Sequence, residues 1–166
     1  AGNTETVADS LYRYDADIGV VGEVPPGRDF EILRLNTTPI IAFVAADHPL
    51  ARAGKIGFHA LQGLPLVMRE RGSKTRMKLE EAAAAAGHLL VPAIEAEGRE
   101  AVREIVASGA GVGFVSAAEF GNDARLVPLT ISGAETVTMD EALICLRERR
   151  SGKLVQAFFE MARAAD

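Results

Sequence analysis

Apolar residues in this 166-residue chain fall into short runs divided by polar, glycine-bearing turns, and the runs alternate with segments of helical period. Residues 16–21, 39–45, 64–68, 111–116 and 142–147 read as strands. The run at 39–45 is near-continuous in apolar residues, as strands covered on both faces are. Residues 30–35 alternate, and 91–96 and 126–131 add two more strands. Helical spacing appears over 4–14, where Val7, Ala8, Leu11 and Tyr12 share a face, and over 99–108, where Val102, Ile105 and Val106 do. A closing helix carries a stripe of Leu154, Val155, Phe158, Phe159 and Ala162. Alternating strands and helices predict an α/β fold with mainly parallel sheets and right-handed crossovers. Gly113, inside a strand run, is expected to mark a close backbone approach.

The most informative stretch is 64–87, LPLVMRERGSKTRMKLEEAAAAAG. A buried strand ends in charge, Ser73 stands at an N-cap position, and an alanine-rich helix runs to a stop at Gly87. Arg69, Arg71, Lys74 and Arg76 gather at the start of that helix, with Glu70 alone against them. A helix N-terminus bears partial positive charge and ordinarily attracts acids. A capping box would place Glu or Gln where Arg76 stands. Cations at that end fit a site completed by an anion; the competing reading is solvated surface charge. The turns after Met68 and after Ala96 are expected to face one side of a sheet, where open α/β sheets bind ligands. Glu23, at the end of the strand at 16–21, is either part of such a crevice or a solvated acid before a Pro-Pro-Gly turn.

Hydrophobic residues make up 48% of the chain and charged ones 25%, ordinary for a folded domain. The net charge of −5 argues against a duplex-gripping face, and a local basic cluster in an acidic domain suits a small anion better. Cys145 lies in an apolar run and reads as a buried, inert thiol; alone, it forms no disulfide within the chain. His48 is expected to bond turn backbone, and His59 and His88 have no partner in the sequence pattern. Neither paired metal ligands, a phosphate loop nor a hydrolase triad stands out, so no cofactor and no catalysis are expected. No apolar stretch is long enough to cross a membrane, the opening residues do not read as an export signal, and a cytoplasmic location is expected.

Four pieces in order, GNTETVADSLYRYDADIGVV, ADHPLA, RERGSKTR and GAGVGFVS, resemble the effector-binding domain of LysR-type bacterial transcription regulators. GREAVREIVASGAGVGFV, EFGNDARLVPL, and CLRERR followed by VQAFF resemble a narrower group, associated with 2-aminoethylphosphonate catabolism. The family resemblance implies two Rossmann-like lobes of periplasmic-binding-protein type II architecture, with an inducer in the cleft. It sets lobe I at 1–46 and 136–166 and lobe II at 47–135. It puts Asn3 and Thr4 (with Gly2), Ser73, Lys74, Thr75, Arg76, Glu97, Gly98 and Arg99 at the ligand, a small anion or zwitterion. It implies a homodimer or homotetramer that meets DNA through an N-terminal winged helix-turn-helix, and a domain that is N-terminally incomplete in this chain. Arg71 departs from the proline often found before the Gly-Ser pair. A periplasmic-type solute-binding protein for a small anion is the alternative with the same fold.

Overall fold

The computed structural model describes residues 4–22 and 24–164 and divides the chain into two compact units. One takes the residues up to Thr37 and those from Met139; the other is Thr38–Thr138. The boundary falls inside a strand, between Thr37 and Thr38.

The first unit opens with helix α1 (Thr4–Tyr12) and strand β1 (Gly19–Val21). Strand β2 (Phe30–Ala45) begins in this unit and ends in the other. Two strands were expected where β2 runs unbroken, with a break before Pro39. The proline is tolerated because it is exposed and its neighbour Ile40 still donates to Val137 O at 3.0 Å. Strand β8 (Thr138–Leu146) returns antiparallel beside β1, Gly19 opposite Ile144. The pleat of β8 sends successive side chains to opposite faces. Ala142, Ile144 and Leu146 join Ala8, Leu11, Val21 and Phe30, while Leu143 and Cys145 join Val155 and Phe159 of helix α6 (Lys153–Arg163). Cys145 is fully buried, and burial pushes its thiol pKa up. The expected stripe on α6 holds for Val155 and Phe159, but Leu154 is 69% and Phe158 43% exposed.

In the second unit β2 pairs antiparallel with β6 (Gly113–Ser116) and with β7 (Leu126–Ser132), and β7 pairs parallel with β3 (Lys55–Gly57). Strands β4 (Leu66–Arg69) and β5 (Pro92–Ala96) form a parallel pair. The expectation of mainly parallel sheets is therefore corrected: in the six-stranded sheet β1 with β8, β2 with β6 and β2 with β7 all pair antiparallel. An apolar run reports burial on both faces and says nothing about direction. Helices α2 (Phe58–Leu61), α3 (Lys74–Ala85), α4 (Arg99–Ala107) and α5 (Ala117–Phe120) complete the unit. Phe43, Val67, Val102, Val106, Val115 and Leu126 form one cluster of its core.

The two glycines of the GVG segment do different work. A Cβ on Gly113 would meet side chains, Phe43 Cζ at 2.6 Å and Val106 Cγ2 at 2.8 Å. The close backbone approach is at Gly111, where a Cβ would stand 2.2 Å from Pro65 O. That carbonyl accepts from Val112 N at 2.9 Å, so it cannot withdraw without breaking the bond. Gly111→Ala is expected to destabilise the chain by about 2 kcal/mol or more, with Gly63→Ala near neutral, in urea unfolding.

Candidate functional site

Because β4 and β5 are parallel, with Arg69 opposite Ala96, the turns that follow them lie together at one end of the pair. Glu70 ties the turns to each other. Its N donates to Ala96 O at 3.1 Å, its carbonyl accepts from Ser73 N at 3.2 Å, and its Oε2 accepts from Gly98 N at 3.1 Å. Arg69 grips the same carboxylate with two bonds, Nε to Oε2 at 2.8 Å and Nη2 to Oε1 at 2.6 Å. The Arg69 hydrogen bonds outweigh partial burial, and the N–H groups of Glu70 and Gly98 add to them, so the Glu70 carboxyl is held at about 2.

Ser73 caps α3 as its sequence position predicts, with Oγ accepting from Arg76 N at 3.5 Å, a long bond. Ser73 is 5% exposed and Thr75 9%. Two polar side chains are thus buried at the first turn of a helix whose leading N–H groups have no acceptor within the helix itself. Arg76, 7% exposed, turns inward. Its Nη1 donates to Arg69 O at 2.7 Å and to Glu95 Oε2 at 2.6 Å, and its Nε donates to Glu80 Oε1 at 2.8 Å. Arg76 holds the Glu95 carboxyl below its usual value against desolvation, and the N–H and charge of Arg71 assist. Donating to Glu95 in turn raises the Arg76 pKa.

Arg99 donates to Glu100 Oε1 at 2.9 Å and to Glu119, whose Oε2 accepts from Ser116 Oγ at 3.1 Å. Glu97 is exposed, and Lys74 is engaged as well. Ser73, Gly98 and the Arg69–Glu70 pair are therefore one bonded group, with Thr75 and Arg76 on the next residues of α3. Thr4 opens α1 in the other unit. Gly2, Asn3 and Glu23 lie outside the described residues. A shallow recess of about 370 Å³, lined by Lys78, Glu81, Ala82 and residues 136–138, lies farther along α3 and contains none of the predicted site residues.

Three of the cations that the sequence offers to an anion, Arg69, Arg76 and Arg99, already have carboxylate partners. An anion at the α3 terminus would meet hydroxyls and N–H groups, backed by a guanidinium whose charge is compensated. Sequence reasoning missed Glu80, Glu95 and Glu119 as partners; only Glu80 carried a signal, the four-residue spacing from Arg76. It also missed Thr38, whose buried Oγ1 has no hydrogen-bond partner among the described residues. His48 behaves as expected, its Nδ1 accepting from Leu50 N at 3.1 Å.

Arg76→Ala is expected to destabilise the chain by about 1–3 kcal/mol, since it removes three charge-assisted bonds while the exposed carboxylates left behind can rehydrate; chemical unfolding at pH 7 measures it. Glu70 gives a pH signature. Its folded pKa is depressed from 4.5 to about 2, so its contribution is complete above 4.5 and is lost as pH falls toward 2. Glu70→Gln should lower the unfolding midpoint at pH 7 and draw level with the parent near pH 2.

The LysR substrate binding domain model matches residues 1–166. The transcriptional activator CmpR of Synechocystis is 25% identical over 99% of this chain, and the regulator CbbR of Xanthobacter flavus 32% identical over 82% of it. The chain spans 55% and 42% of those two proteins. The regulatory domain of Synechocystis CcmR, solved in complex with 2-PG, superposes with a TM-score of 0.82 at 23% identity, covering 98% of this chain and 79% of that one, a likeness of fold. These relatives give the narrower 2-aminoethylphosphonate resemblance no support. The chain belongs to the LysR substrate-binding domain family, with the mixed α/β, periplasmic-binding-protein type II architecture of LysR effector-binding domains.

Proposed function

We propose that this chain is the effector sensor of a LysR-type transcription regulator and that the first turn of α3, in the second unit, receives the effector. The effector is a small anion or zwitterion. The observation that carries the reading is the burial of Ser73 and Thr75 at a helix N-terminus beside the Gly98 turn. Hydroxyls and the N–H groups of a helix N-terminus recognise phosphate, sulfate or carboxylate oxygens without a free cation. Arg76 keeps the turn in shape. The 2-PG complex of the similarly folded CcmR domain supports a small-molecule effector.

The whole regulator is a cytoplasmic homodimer or homotetramer without catalytic activity, and it meets DNA through a winged helix-turn-helix outside this chain. An effector changes its state only through different affinities for its conformations. The regulator relatives favour this reading over a transport role.

Calorimetric titration with 2-PG, phosphate, sulfate and 2-aminoethylphosphonate tests it. At least one anion should bind, and Ser73→Ala and Thr75→Val should each weaken that binding roughly tenfold or more, the worth of a bond to a charged group. Binding of every anion unchanged in both variants would remove α3 from the site.

A further inference from the structure

Two of the three histidines, unpartnered in the sequence pattern, meet in the fold. His59 is on α2 and His88 follows α3; their ring centroids are 6.1 Å apart with planes at 57°. The backbone of His88 is fixed. Gly87, at φ 80°, ends α3 with its N bonded to Ala84 O at 2.9 Å and His88 N bonded to Ala83 O at 2.8 Å. The ring of His88 is fixed as well. Its Nδ1 lies 2.7 Å from Gln62 Oε1, and Gln62 Nε2 donates to Leu89 O at 3.3 Å. An amide whose nitrogen faces a carbonyl presents its oxygen to the imidazole. Nδ1 of His88 therefore carries the hydrogen, and Nε2 holds the lone pair. Gln62 stands three residues after His59, so one turn of chain supplies both a second imidazole and the group that orients the first.

We propose that His59 and His88 form a surface site for a divalent transition ion of the Zn²⁺, Ni²⁺ or Cu²⁺ class. Imidazole suits these ions. A ligating histidine commonly donates its other N–H to an oxygen that sets its tautomer, as His88 does to Gln62. His59 is exposed, so its ring can rotate to bring a second nitrogen to the same ion. The C-terminal end of α3 is the end of a helix dipole that favours positive charge. No group of three or more His, Cys, Asp or Glu side chains gathers among the described residues, so water fills the remaining positions. The site lies past the opposite end of α3 from Ser73 and is independent of the effector reading.

The test is calorimetric titration of Zn²⁺ and of Cu²⁺ into the tag-free chain, with nitrogen hyperfine coupling read by electron paramagnetic resonance in the Cu²⁺ arm. One saturable ion per chain is expected. His59→Ala and His88→Ala should each weaken binding more than tenfold, Gln62→Ala about tenfold, and His48→Ala not at all. Circular dichroism checks that the variants keep the fold. Absence of saturable binding, or an isotherm unchanged in either the His59 or the His88 variant, overturns the proposal.

Discussion

The guanidinium of Arg76 joins three elements that chain connectivity alone leaves loose. It binds the carbonyl at the end of β4, a carboxylate on β5 and a carboxylate one turn along its own helix. A cation so buried is tolerable only when every face of it meets an acceptor, and here three do. Its position fixes how the first turn of α3 leaves β4, and so where Ser73 and Thr75 stand. Beside it, the Arg69–Glu70 pair performs the same service for the turn after β5 through Gly98 N. The two turns are held as one polar shelf by charges that are spent on each other.

This changes the electrostatic meaning of the basic cluster. From the sequence it looks like free positive charge awaiting an anion. In the fold, Arg69, Arg76 and Arg99 face Glu70, Glu95, Glu80, Glu100 and Glu119. A helix terminus bearing buried hydroxyls can still receive an anion, because N–H donors need only an acceptor of the right shape. Recognition of this kind rests on geometry more than on net charge, in keeping with an acidic chain.

Much of the frame was legible because it follows from local chemistry. Ser73 as a cap, Gly87 as a stop and the neighbouring turns after β4 and β5 come from propensity, period and the pairing of apolar runs. Arg76 with Glu95 was not legible, since partners on a helix and a neighbouring strand share no periodicity. The meeting of His59 and His88 depends in the same way on how α2 packs beside the end of α3. Pro39 inside β2 and the exposed Leu154 and Phe158 show the reverse error, where a sound local rule gave way to the surroundings. A proline does no harm at an exposed position, and a helical stripe wider than its contact leaves part of itself uncovered.

The central claim is that a small anion is received at the first turn of α3 while the Arg76 clamp stays closed. Titrating 2-PG into the isotopically labelled chain and following amide and Arg Nε–H resonances tests both halves together. The account predicts that the largest shifts fall on the amides of residues 74–76 and 98, with the Arg76 Nε–H signal still protected from exchange. Shifts centred on Lys78, Glu81 and Ala82, with residues 74–76 unmoved, would contradict it.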